Sequence, residues 1–206
     1  MLKIWGRTNS NNVKKALWAA EEVGVPYENI PAGGAFGIVS DPAYRTMNPN
    51  GLVPTLEDGD LVLWESNTIV RYLASQYGRS TLWIDDAAAR AKAEKWMDWT
   101  TSTLAIPFRD VFWNVVRLAP DKQDHTALEK GRHNCCGLFS IVDAALASQP
   151  YLSGDKFGIG DIPLGCFAYA WFEMTIERPD LPHLAAWYAR LQERPAYQKA
   201  VMIPLT

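Results

Sequence analysis

The chain has no long apolar run, no excess of basic charge and no disulfide framework. Its longest apolar stretch, residues 164–172, is far short of the roughly 20 residues needed to span a bilayer. Met1-Leu2-Lys3-Ile4-Trp5-Gly6-Arg7 holds no apolar region of signal-peptide length. Lys and Arg number 20 against 23 Asp and Glu, a formal net charge of −3, and this leaves no basic stripe for nucleic acid. The three cysteines, Cys135, Cys136 and Cys166, form neither a CxxC pair nor an even set, which favours a reducing compartment. His125, His133 and His183 lack ligand spacing, so no metal is expected. These absences point to a soluble cytoplasmic protein with no nucleic-acid or membrane partner.

What is present has a clear order. The 206 residues suit one large domain or two small ones and can bury a real core. Leu2 to Trp5 reads as a strand, followed by a polar loop over 6–12. Val13, Ala16, Leu17, Ala20 and Val23 recur at helical spacing, and Gly24 stops that helix. Tyr27 to Ile30 reads as a strand, 31–37 as a glycine-rich loop and 41–47 as a short helix. A hairpin centred on Asp58-Gly59 and a helix over 67–77 complete a β-α-β-α-β-β-α order, the thioredoxin-like arrangement. Beyond a linker at 79–86 only helices are legible, at about 87–118, 124–148, 161–174, 181–192 and 195–202, with Pro107 expected to kink the first. The expected architecture is α/β plus all-α: a thioredoxin-like domain over 1–78 and a helical-bundle domain over 87–206.

The stretch from Asn48 to Asn67 carries most of the chemistry. Pro54 has no amide hydrogen and drives Val53 toward an extended conformation. Val53 is then expected to offer its own N–H and C=O to an extended peptide. Beyond the hairpin, Ser66 can cap a helix whose first N–H groups suit a carboxylate. The stretch therefore reads as a cradle for a small peptide-like anion. Taken singly, Val53-Pro54 is also an ordinary strand-leading proline, and Glu65-Ser66 a solvated acid before a cap.

Several pieces together resemble a cytosolic glutathione transferase of a bacterial type. They are Asn48-Pro49-Asn50-Gly51-Leu52-Val53-Pro54, Leu63-Trp64-Glu65-Ser66-Asn67-Thr68-Ile69-Val70-Arg71-Tyr72-Leu73, Tyr151-Leu152-Ser153-Gly154-Asp155 with Asp161-Ile162, and Trp187-Tyr188-Ala189-Arg190-Leu191 with Arg194-Pro195. The resemblance covers essentially the full length. It implies a cis Pro54, a Val53 backbone paired with the cysteinyl part of glutathione, and Glu65 and Ser66 holding the γ-glutamyl end. It also implies glutathione as co-substrate, a small apolar electrophile as the other substrate, and a homodimer in which Asp98 reaches across the two-fold to the partner's glutathione. Ile106, Phe108, Phe112 and Trp113 are candidate walls of the electrophile pocket.

Such chemistry needs the glutathione sulfur as thiolate, held by a nearby hydroxyl or amide donor and the positive end of a helix. Ser10-Asn11-Asn12-Val13-Lys14-Lys15 resembles the Ser-x-Asn-x-x-Lys loop of several bacterial classes, which makes Ser10 the principal donor and Asn12 the second. Ser10 read by spacing alone is a helix cap; the Val53-Pro54 and Glu65-Ser66 elements tip the reading toward the thiolate. The loop has no tyrosine or cysteine, which sets aside the tyrosine-type and cysteine-dependent members. Glutathione-dependent reduction of disulfides or peroxides, and a non-catalytic transferase-like binding protein, are the rival readings. The chain departs from the family pattern twice. Gly158 stands where Ser or Thr usually caps a helix. Leu52 stands where a Lys, Arg or Gln usually meets the glycyl end of glutathione, leaving Arg7, Lys14 and Lys15 as the nearby cations.

Overall fold

The computed structural model describes residues 1–206. The chain forms two compact units, Met1–Ile84 with Pro195–Ile203, and Asp85–Arg194 with Pro204–Thr206. The first contains β1 (Leu2–Trp5), α1 (Asn11–Val23), β2 (Tyr27–Ile30), α2 (Pro42–Met47), β3 (Thr55–Asp58), β4 (Leu61–Trp64) and α3 (Ser66–Tyr77). The sheet order is β2-β1-β3-β4. β1 and β2 are parallel, while β3 is antiparallel to both β1 and β4. A parallel pair needs a crossover, and α1 supplies it. That helix buries every residue from Val13 to Ala20 and ends on Gly24. The φ of Gly24, +68°, is one that only glycine takes without strain.

The hairpin differs by one residue from the sequence expectation. Asp58 pairs with Leu61, so the two-residue loop is Gly59-Asp60 rather than Asp58-Gly59. Gly59, at φ +59°, takes the first loop position, where a positive φ matches strand twist.

A second difference concerns the final helix, α9 (Pro195–Ala200), expected with the helical domain. It belongs to the first unit because it packs on α1. Tyr197 meets Trp18 edge-on at 4.6 Å, the Lys14 ammonium donates to the Val201 carbonyl at 2.9 Å, and Lys199 pairs with Glu21 at 2.6 Å.

The second unit is helical: α4 (Ala87–Trp99), α5 (Ala105–Phe112), α6 (His125–Leu146), α7 (Asp161–Glu173) and α8 (Pro182–Gln192). Asp86 and Asp124 cap α4 and α6 through the Ala89 and Ala127 amides. The expected helix over 87–118 is interrupted by π-helical turns at Thr100–Leu104 and Trp113–Arg117. Pro107 cannot donate to the carbonyl four residues back, and the ladder widens just ahead of it, as π-bulges commonly permit.

Core-forming α7 is buried from Asp161 through Trp171. Its first carboxylate is a hub. Asp161 accepts hydrogen bonds from the Leu152 amide at 2.8 Å, the Gly158 amide at 3.1 Å and the Trp187 indole at 2.8 Å. It also accepts a longer one from the Ser153 amide at 3.3 Å. Gly158 donates its amide to the acid three residues on, but Gly160 rather than Gly158 holds the cap position of α7, and Asp161 is its first residue. Replacing Asp161 by Ala leaves these donors buried and unmet. The expected loss is about 3 kcal/mol or more of unfolding free energy, to be read from the urea midpoint.

Cys135 and Cys166 are buried and Cys136 is partly exposed. Burial, with Cys136 and Asp110 adding to it, pushes the Cys135 thiol up to about 12, so it carries almost no thiolate at neutral pH. An aromatic disulfide reagent at pH 8 is therefore expected to label Cys136 alone in the folded chain, and all three cysteines once it is unfolded.

Candidate functional site

In the first unit, β1, β3 and the N-terminal ends of α1 and α3 bring the sequence-expected cradle together. The Val53–Pro54 peptide is cis. Val53 lies outside the β3 ladder, which begins at Thr55 opposite Trp5 and Trp64, and its N–H and C=O join no backbone pair. The segment is held by polar groups from α2 and its exit. Tyr44 Oη donates to the Leu52 carbonyl at 2.7 Å, and Asn48 Nδ2 donates to the same carbonyl at 2.9 Å. Both side chains also reach Thr55 Oγ1, at 2.9 Å and 3.1 Å. Burial raises the Tyr44 phenol above its ordinary range, against the bonds to Thr55 and Asn48, so it stays a proton donor. Tyr44 was not picked out by sequence, and Asn48 was quoted only as the start of the motif, without this role.

Glu65 adopts φ 74°, ψ 109°, a conformation rare for any residue but glycine. Residues held this way cluster at binding sites. Glu65, not Ser66, occupies the cap position of α3, and its carbonyl accepts the Ile69 amide at 2.9 Å. Ser66 is the first helical residue, and its hydroxyl is turned toward α1 instead of capping. Lys15 Nζ donates to Ser66 Oγ at 3.4 Å, and Ser66 Oγ donates to Asn12 Oδ1 at 3.4 Å. Lys14 and Lys15 are each 1% exposed. A buried ammonium behind a helix N-terminus adds to the positive potential there. The sequence offered Lys14 and Lys15 only as cations near the glycyl end of glutathione, whereas the structure turns Lys14 to the Val201 carbonyl and Lys15 to Ser66.

Ser10 sits at the cap position of α1 at φ −88°, ψ 125°, but its side chain makes no capping bond. Its amide donates to the Arg7 carbonyl at 3.2 Å, and its carbonyl accepts the Lys14 amide at 2.9 Å. The backbone therefore starts the helix while the hydroxyl stays out of it. Asn12, two residues along, is exposed. Leu52 is 66% exposed.

The remaining expected residues lie in the second unit. Asp98 is exposed on α4. On α5, Phe108 is a core side chain, 1% exposed, with its ring 4.9 Å from that of Phe167. Phe112 stacks on Phe108 at 6.2 Å, whereas Ile106 and Trp113 are exposed. Within this group, Phe108 is spent on packing and is not open to a ligand. His125, His133 and His183 are all exposed, and nowhere do three metal-ligating side chains converge. No helix is long and apolar enough to cross a membrane.

Comparison with known proteins adds to this geometry. Residues 1–75 match the family described as glutathione S-transferase, N-terminal domain, and residues 95–195 its C-terminal domain. Glutathione S-transferase GstB of Escherichia coli K12 is 50% identical over 208 residues, covering 100% of each chain. Glutathione S-transferase 3 of Zea mays is 33% identical, over 99% of this chain and 95% of its own. The crystal structure of the theta class glutathione S-transferase of Xanthomonas axonopodis pv. citri with glutathione bound superposes with a TM-score of 0.98. It is 61% identical over 100% of this chain and 99% of that one.

Proposed function

Since the chain belongs to the glutathione S-transferase family, we propose that it activates the glutathione thiol through Ser10 and Asn12 for attack on a small electrophile. It is a glutathione transferase with glutathione as co-substrate. The observation that carries the assignment of roles is the Ser10 hydroxyl, placed at a helix start and yet not used as its cap. That hydroxyl is available to donate to sulfur, and the positive end of α1 favours the thiolate.

The other roles follow from the cradle. Val53 pairs its backbone with the cysteinyl part of glutathione beside Pro54, as an added strand does at a sheet edge. Glu65 receives the γ-glutamyl amine, and Ser66 with the α3 amides receives the γ-glutamyl carboxylate. The carbon–sulfur bond forms as the thiolate attacks the electrophilic carbon, and the leaving group departs with the bonding pair. Ile106, Phe112 and Trp113 supply apolar surface to the electrophile.

The reading includes a cytoplasmic homodimer. Three free cysteines suit a reducing compartment. The edge strand β4 leaves Leu61, Val62 and Trp64 exposed, the kind of apolar edge that a partner covers. Asp98 of each protomer is assigned to the glutathione amine held by the other.

Two experiments test these roles. In an ultraviolet titration of bound glutathione, Ser10→Ala with Asn12→Ala is expected to raise the thiol pKa by about one unit or more. An unchanged titration would remove both residues from the thiolate's shell. Ser66→Ala is expected to weaken glutathione binding by about tenfold while leaving that thiol pKa nearly unmoved. Calorimetry beside the same titration separates the two effects.

A further inference from the structure

We propose that Arg7 is a carboxylate-binding group of the thiol site. Its guanidinium grips a carboxylate lying next to the glutathione sulfur, either the glycyl carboxylate of glutathione or one carried by the electrophile. The proposal rests on the glutathione reading above and adds a group that neither the cradle nor the thiolate donors supply.

Arg7 lies three residues before Ser10 and is tied to it, its carbonyl accepting the Ser10 amide at 3.2 Å. Its amide donates to the Ala32 carbonyl at 2.9 Å, which fixes the start of the side chain against the loop after β2. The side chain then runs along Gly33 and Gly34. A Cβ placed on Gly34 would lie 3.1 Å from Arg7 Cδ and 3.3 Å from Nε, and one on Gly33 would lie 3.3 Å from Nη1. That same point above Gly33 is 3.3 Å from Val53 Cγ1, so the guanidinium and Val53 flank a single glycine. Both glycines have positive φ, 76° and 59°, which other residues seldom adopt. The loop leaves room for the arginine and holds it in place.

The chemistry around it is one-sided. The guanidinium is engaged by no protein acceptor, and the residues that flank it at this loop, Gly33, Gly34 and Val53, are uncharged. The position beside Val53 where the family pattern places a cation or amide holds Leu52, which is exposed. Lys14 and Lys15, the other nearby cations, are buried and spend hydrogen bonds on Val201 and Ser66. Arg7 alone combines an open charge with a place beside both Val53 and the Ser10 loop. A planar fork with paired donors suits a carboxylate better than a point charge does.

The test uses the full chain, wild type against Arg7→Met and Arg7→Lys, with circular dichroism confirming the fold of each. Calorimetry compares glutathione with its glycyl monoethyl ester. Kinetics at saturating glutathione compare 4-chloro-3-nitrobenzoate with the neutral benzamide. If the glycyl end is the source, Arg7→Met weakens glutathione about 10- to 100-fold and leaves the ester unchanged, with Arg7→Lys between. If the electrophile is the source, the benzoate KM rises by a similar factor while the benzamide and glutathione affinity hold. Equal loss for glutathione and its ester, or no change in either comparison, overturns the proposal. A wild-type chain that binds no glutathione would instead overturn the reading beneath it.

Discussion

The carbonyl of Leu52 accepts two hydrogen bonds, and the shape of the first unit's binding edge depends on them. Tyr44 and Asn48 donate to it, Asn48 also donates to the hydroxyl of Thr55, and that hydroxyl donates in turn to Tyr44 Oη. The chain is thus gripped on both sides of Val53 and Pro54, leaving Val53 outside the ladder. Tyr44 is nearly inaccessible to water, so these bonds act where the surroundings screen them least. Six-residue α2 has little stability of its own, yet it delivers one of these donors and positions the other. A tyrosine and an asparagine four residues apart therefore do for the cradle what longer elements do for the core.

The N-terminus of α1 is organised by a different balance. Its cap residue leaves its hydroxyl out of the helix, and the helix is anchored further along by burial from Val13 to Ala20 and by the bonds of Lys14 and Lys15. A local capping bond is forgone at this start, and packing further along the helix supplies the stability. The positive φ of Glu65 fits the same pattern, since a strained backbone persists only where its surroundings over-determine it.

The sequence was most informative where one residue imposes a backbone constraint. Pro54, Gly24 and the alternation of Leu2-Lys3-Ile4-Trp5 marked their elements because proline, glycine and alternation act locally. Ser10 and Glu65 were named through the family resemblance, since spacing alone reads Ser10 as a helix cap and Glu65 as a solvated acid before one. The hairpin loop slipped by one residue because Asp58-Gly59 and Gly59-Asp60 both satisfy turn chemistry, and only cross-strand pairing decides register. The π-helical turns around α5 were out of reach, since Pro107 announces a disruption but not how the ladder absorbs it. Lys15 was illegible for a deeper reason: a buried lysine is readable only from the acceptors that surround it, and those come from distant parts of the chain. Phe108 and Trp113 look alike in sequence, and only packing separates a core ring from an exposed one.

The return of α9 to the first unit has a consequence for how the protein is made. The N-terminal unit is not contiguous: its α1 carries Lys14 and Trp18, whose partners Val201 and Tyr197 come from the last dozen residues of the chain. On a ribosome adding about 5–20 residues per second, the strands and α1 emerge first and then wait on the order of ten seconds for the helix that covers them. During that interval a buried lysine lacks its carbonyl, and a tryptophan at the centre of the core lacks the ring that closes over it. The part of the molecule that is written first is thus finished last, and a chain released before residue 195 carries an open first unit whatever the state of its second.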